Sequence, residues 1–167
     1  QDIDLHVAPG ETIAFVGHTG AGKTTITSLV SRGYEVTKGA IRIDGHDLRD
    51  IKRRSLTRHM GVVLQTPYLF SGTIAENIAL DRPDLGPADV ERAARAVEAH
   101  PFIERLPDGY ATHLRERGGN LSAGQRQLLS FARALAHGAD LLVLDEATSS
   151  IDTETERWIQ EGLAALR

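Results

Sequence analysis

Apolar and polar positions along the chain fall into two kinds of pattern. Short apolar runs bounded by turn residues read as buried strands. "TIAFV" at 12–16, "AIRIDG" at 40–45 and "MGVVLQ" at 60–65 are of this kind, and so is "LLVLD" at 141–145. The last is a continuous apolar run ending in an acid, the form a central parallel strand takes. Between them lie stretches of helical period. "ITSLV" follows the first strand as helix, and 73–137 is mostly helical. "ADVERAARAVEA" places Val90, Ala93, Ala94 and Val97 on one face, with Pro101 as its stop signal. A second long helix is predicted to open at Ser122, to bury Leu128, Phe131, Ala132 and Leu135, and to end at His137-Gly138. "TETERWIQEGLAAL" closes the chain as helix. Strands alternating with helices predict an α/β core, with a helical insertion near 73–137.

Composition changes this picture little. The chain has 167 residues, 41% apolar and 25% charged, an ordinary globular balance. The net charge of −4 gives no nucleic-acid footprint. The basic stretch "RDIKRRSLTR" at 49–58 reads as a solvated helix face. With no cysteine, disulfides, thiolate metal sites and thiol redox chemistry are excluded. The seven histidines show no metal-ligand spacing. No apolar run approaches the length of a membrane span and no signal-peptide pattern is present, so a soluble, intracellular chain is expected.

The chemistry concentrates where the elements meet. "GHTGAGKT" fits G-x-x-x-x-G-K-[ST] and lies between a predicted strand and a predicted helix. In that setting the backbone N–H groups from Gly20 to Thr25 cradle phosphate oxygens. Lys23 bridges the outer phosphates and the Thr24 hydroxyl holds Mg²⁺. The alternative is a glycine-rich turn carrying a chance lysine. At the end of "LLVLDE", Asp145 is placed as a Mg²⁺ partner through water, and Glu146 as the group that polarises an attacking water; alone, the pair would be a charged turn. Gln65 ends its strand within reach of a metal or nucleophilic water, but a lone Gln there is as readily a surface amide. The same ambiguity holds for Ser149, Ser150 and Asp152. "NLSAGQRQ" at 120–127 adds a second anion-seeking feature. Ser122 and Gln125 have capping-box spacing, and Gly124 lets a ligand approach the backbone at a helix N-terminus.

Together these residues resemble the nucleotide-binding domain of ATP-binding cassette (ABC) transporters, over essentially the whole chain. "GHTGAGKTT" corresponds to Walker A, "VVLQ" to the Q-loop and "LSAGQ" to the signature. "LLVLDE" corresponds to Walker B and "SSID" to the D-loop. The signature is the specific part; it differs from the commonest form only by Ala123. "LFSGTIAENI" at 69–78 and "YATHLRERGGNLSAGQ" at 110–125 are similar to the exporter branch.

The resemblance implies an α/β P-loop NTPase fold with a mainly parallel sheet, an N-terminal β portion and an inserted helical subdomain. It implies ATP and Mg²⁺ as cofactors. Gly17, Thr19, Gly20, Ala21, Gly22, Lys23, Thr24 and Thr25 hold the nucleotide. Thr24, Gln65 and Asp145 serve the metal, and Glu146, Gln65 and Lys23 the hydrolysis. It also implies a second cassette as partner in a head-to-tail dimer, where Ser122, Gly124 and Gln125 close on the γ-phosphate held by the partner's Lys23 loop. Glu116 lies near that partner, and Tyr68 and Phe70 face the coupling helices of a membrane domain. The cassette then sits at the cytoplasmic face of a membrane and binds no nucleic acid. The family's adenine-stacking aromatic and switch histidine have no counterpart in 1–167, so the chain is expected to be the middle of a longer cassette, weakly active or inactive alone. "SRGYEV" also departs from the family, which carries an aromatic where Gly33 stands. Two rival readings are a non-transport cassette ATPase and a non-hydrolysing half of an asymmetric pair. A small-molecule P-loop kinase would explain Walker A but not "LSAGQ".

Overall fold

The computed structural model describes residues 3–18 and 20–145. Thr19, Glu146, Ser149, Ser150, Asp152 and the predicted closing helix lie outside the described residues.

The elements in chain order are α1 (Lys23–Val30), β1 (Arg42–Ile43), β2 (His46–Asp47), α2 (Arg53–His59), β3 (Met60–Val63), β4 (Gly72–Thr73), α3 (Ile74–Ala79), α4 (Pro87–Ala96), α5 (His100–Glu104), β5 (His113–Leu114), α6 (Ala123–Ala136) and β6 (Leu141–Leu144). β3 and β6 form a parallel pair in the register Met60↔Leu141 to Val63↔Leu144. β1–β2 and β4–β5 are short antiparallel pairs.

The parallel pair is covered on both faces, as its apolar runs require. Side chains alternate along each strand. Val63, Leu142 and Leu144 join one apolar cluster, built with α3, α4 and α6. Met60, Val62, Leu141 and Val143 join another, with Leu48, Leu56 and Val30. Gly61 allows α6 to lie close on the sheet. A Cβ at that position would come within 3.3 Å of the Ala134 Cβ and 2.9 Å of the Leu142 Cδ1.

The helices answer their local sequence. α6 opens on the predicted capping box: the Ser122 Oγ accepts the Gln125 N–H at 3.1 Å, and the Gln125 Oε1 accepts the Ser122 N–H at 2.9 Å. It ends at His137, with Gly138 at positive φ. α3 opens on a second box, Thr73 with Glu76. Val90, Ala93, Ala94 and Val97 are buried together. The basic stretch lies on α2 and its approach, exposed except for Leu56 and the half-buried Ile51.

Four expectations change. Residues 12–16 form no strand, and Phe15 and Val16 are 39% and 94% exposed. An apolar run becomes a strand only where a neighbour supplies hydrogen bonds; among the described residues β3 and β6 pair with each other and neither takes a third strand. Pro101 does not stop α4, which ends at Ala96 with Glu98 at φ 56°. Pro101 instead sits in the first turn of α5, where its missing N–H costs no helical bond. Of "AIRIDG", two residues pair, because Asp44 and Gly45, both at positive φ, turn the chain straight back into β2. On α6, Leu128 is half-buried, while Gln127, Leu129 and Ser130 are buried. That helix is enclosed by α3, α4 and β3 at once, so its buried face is wider than a single stripe.

Candidate functional site

The 17–25 loop is shaped by its glycines. Gly20 and Gly22 have φ of 84° and 94°, a region that suits residues without a Cβ. Gly22 leads into α1, which has no side-chain cap and no acidic residue in its first turn. Its leading N–H groups are thus left without side-chain acceptors, and the helix dipole adds positive potential there. The Lys23 Nζ folds back over the loop, donating to the Gly17 carbonyl at 2.7 Å and the His18 carbonyl at 3.2 Å. An ammonium group and backbone donors are therefore gathered on one loop.

Beside it stand the strand ends. The Asp145 N–H donates to the Val63 carbonyl at 3.0 Å, which extends the β3–β6 ladder by one step and fixes Asp145 just past β6. Its Oδ1 accepts from the Thr24 hydroxyl at 3.2 Å. This bond joins the first turn of α1 to a residue 121 positions later. Gln65 lies two residues past Val63, exposed, at the same end of the sheet. A hydroxyl and a carboxylate meeting beside a phosphate-shaped loop are hard oxygen donors, the kind Mg²⁺ takes alongside water and nucleotide oxygens. Among the described residues no group of three or more His, Cys, Asp or Glu is arranged as a metal cage; a site that shares its metal with phosphates does not need one.

The "LSAGQ" end of α6 is separate. Among the described residues, none of Ser122, Gly124 and Gln125 hydrogen-bonds to the 17–25 loop. Ser122 spends its acceptor on the Gln125 N–H, which leaves its O–H free to donate outward. Ser122 and Ala123 are exposed.

Two segments pack behind this end. A Cβ on Gly118, at φ 67°, would meet the Leu69 Cδ1 at 2.8 Å and the Arg126 Cδ at 3.1 Å. The "ERGG" turn thus presses on both the loop after Gln65 and α6. That loop shows Tyr68 and Phe70 to solvent as an edge-to-face pair with centroids 4.9 Å apart, 53% and 46% exposed. It is held from below by two residues that pattern reading did not single out. Asn77, nearly fully buried, accepts the Phe70 N–H at 2.8 Å and donates to the Phe70 and Thr73 carbonyls. Arg133 donates to the Asn77 carbonyl at 2.7 Å and the Tyr68 carbonyl at 3.0 Å, and its guanidinium lies 5.8 Å from the Phe70 ring centroid. Burial pushes the Arg133 pKa down to about 10, still charged at neutral pH. A third missed residue is Gln127, buried on α6, whose Nε2 donates to the Leu64 carbonyl. In sequence, the only sign of all three is a polar residue on a helix whose neighbours are apolar.

A family model for the ABC transporter matches residues 1–149. The chain is 55% identical, over 99% of its length, to an uncharacterized ABC transporter ATP-binding protein of Bacillus subtilis, of which it covers 28%. It is 49% identical to an ATP-dependent lipid A-core flippase of Syntrophus aciditrophicus, covering 99% of the chain and 28% of that protein. It is 47% identical to a fatty acid ABC transporter ATP-binding/permease protein of Mycobacterium tuberculosis, covering 100% of the chain and 26% of that protein. The chain thus spans little more than a quarter of the length of these relatives. A solved bacterial Atm1-family ABC exporter with ATP bound superposes with a TM-score of 0.83 at 41% identity, over 89% of the chain and 26% of that structure. The chain belongs to the ABC transporter family, and the residues it contributes are those of the ATP-binding cassette.

Proposed function

We propose that the chain belongs to an ATP-hydrolysing cassette that powers an exporter at the cytoplasmic face of a membrane. The observation that carries this reading is the Thr24–Asp145 hydrogen bond, which brings the phosphate loop and the acid-terminated strand into one oxygen-donor set. The relative named as a lipid A-core flippase and the solved structure of an ABC exporter support the transport assignment.

Loop N–H groups of Gly20 to Thr25 bind the phosphates, and Lys23 exchanges its two loop carbonyls for β- and γ-phosphate oxygens. Thr24 and Gln65 would hold Mg²⁺ directly and Asp145 through water. Bound there, the ion neutralises charge on the transferring phosphoryl group. Gln65 and Glu146 orient and polarise the water that attacks the γ-phosphorus. The bond from that phosphorus to the β–γ bridging oxygen breaks, releasing ADP, and Glu146 takes the proton. A second cassette supplies its "LSAGQ" end to this γ-phosphate, so each ATP lies between two chains. The exposed Tyr68–Phe70 pair, pinned by Asn77 and Arg133, meets the coupling helices of the membrane domain.

The test is phosphate release by the full-length transporter. Glu146→Gln is expected to keep ATP binding and to lose turnover by on the order of a hundredfold or more. Lys23→Ala is expected to weaken binding of a fluorescent ATP analogue. Near wild-type release from Glu146→Gln would overturn the assignment of the base.

A further inference from the structure

α6 lies antiparallel along β3 and Leu64, the residue that follows it, and two of the contacts bear on their register. At one, Ala134 meets Gly61, where a Cβ would stand 3.3 Å from the Ala134 Cβ. At the other, the Gln127 Nε2 donates to the Leu64 carbonyl at 3.2 Å. The spacings match. Seven residues of helix from 127 to 134 rise about 10.5 Å, and three residues of extended chain from 61 to 64 cover about 10 Å. The register of helix on strand is therefore fixed at both ends.

Gln127 is 1% exposed, and its Oε1 is buried with no hydrogen-bond partner among the described residues. A buried amide among mostly apolar neighbours, with its carbonyl oxygen unused, is a poor packing choice; an apolar side chain of the same length would bury without that cost. What the amide supplies is its N–H to Leu64, the residue directly before Gln65. Gln127 is also on the second turn of the helix whose first turn bears Ser122 and Gly124.

We propose that Gln127 is a positioning residue that ties Gln65 to the "LSAGQ" end of α6. Through the Leu64 carbonyl it holds the stem of the Gln65 loop at a fixed distance from that helix end. The Gln65 side chain is thereby set relative to the Thr24–Asp145 pair. This rests on the role given to Gln65 above.

The experiment uses the full-length transporter with Gln127→Met, which keeps length without a donor, and Gln127→Glu, which keeps shape but cannot donate when ionised. Metal affinity is read directly by Mn²⁺ electron paramagnetic resonance, with ATP present and Glu146→Gln blocking turnover. Both variants are expected to bind Mn²⁺ about tenfold more weakly or worse, in the range for loss of a residue that orients a ligand. With Glu146 intact, kcat falls by a similar factor while KM for ATP stays within about twofold. Gln65→Ala is expected to produce the same weakening, and adding Gln127→Met to it to produce no more. Unchanged Mn²⁺ affinity in folded Gln127 variants, whatever their melting temperature, overturns the proposal. So does an additive double variant. If Gln127→Met fails to fold, Gln127→Glu decides; if neither folds, Gln127 is a packing residue and the proposal falls. A wild-type protein that releases no phosphate overturns the hydrolytic reading itself, which the wild-type control shows separately.

Discussion

Asn77 offers the sharpest test of how the exposed aromatic pair is held. Its side chain makes four hydrogen bonds: it accepts the Phe70 N–H and an Arg133 Nη2–H, and donates to the Phe70 and Thr73 carbonyls. Asn77→Ala removes all four at a site where the residue is 2% exposed. At a net value of about 1 kcal/mol each, the loss is about 4 kcal/mol if no water enters. Phe70 is partly open to solvent, so water can reach some of these groups and the expected loss is about 2–4 kcal/mol. For a domain of this size each kcal/mol shifts the melting temperature by about 2–4 °C, which predicts a drop of roughly 4–16 °C. Asn77→Asp keeps both acceptors but turns a carboxylate toward two carbonyls, with Arg133 as partial compensation. It is expected to melt between wild type and Asn77→Ala. Thermal and urea denaturation of the three proteins side by side give the order and the size. A value for Asn77→Ala within about 0.5 kcal/mol of wild type, the range of ordinary surface substitutions, would refute the reasoning.

Two further predictions concern packing and pH. Gly61→Ala crowds Leu142 and Ala134; overpacking of about 1–3 kcal/mol, less about 0.4–1 kcal/mol from a stiffer unfolded chain, leaves it roughly 1 kcal/mol less stable in urea unfolding, and adding Leu142→Val should recover part of the loss. Burial lowers the pKa of His137 from its ordinary value, with Arg82 and Arg133 adding to the shift and the bond to the Ala79 carbonyl and the Asp84 charge opposing it. The unfolded chain therefore takes up a proton more readily than the folded one. The stability this neutral histidine gives is fully present above about pH 6.5 and is lost as pH falls from there through the lower pKa of the folded state. His137→Gln can still donate to Ala79, so its melting temperature should fall less than wild type between about pH 7.5 and about pH 5.5; an equal fall would show that other groups carry the acid sensitivity.

What the sequence made legible was local or carried by spacing. The Ser122–Gln125 box needs only residues three apart, and it formed as read. The β3 and β6 runs are apolar enough to demand cover on both faces, and they found each other in parallel. The 12–16 run has the same composition, but a strand depends on a partner that lies elsewhere in the chain, and composition does not say whether one is there. Pro101 was ambiguous because proline ends one helix and opens another with equal ease. The Thr24–Asp145 contact was expected from the motifs, not from any local rule, and the structure supplies the bond. Asn77, Gln127 and Arg133 were invisible for a different reason. A polar residue on a helix reads as solvent-facing unless three neighbouring elements enclose that helix, and enclosure is a property of the tertiary fold. Glu146 and Asp152 lie outside the described residues and rest on the motifs.

The central claim is that one chain's Lys23 loop and another chain's "LSAGQ" end share each ATP. It is tested most directly by mixing two inactive full-length proteins, Lys23→Ala and Gly124→Asp, and measuring phosphate release from the isolated mixed dimer. In the proposed dimer the aspartate would place negative charge beside the partner's γ-phosphate, which is repulsive once water is excluded. In the mixed dimer one composite site carries both lesions and the other carries neither. Turnover is expected to return in part on mixing, and a chain bearing both substitutions is expected to stay inactive when paired with wild type. No activity from the first pair together with robust activity from the second would place the "LSAGQ" end and the Lys23 loop on the same ATP within a single chain, and would contradict the account.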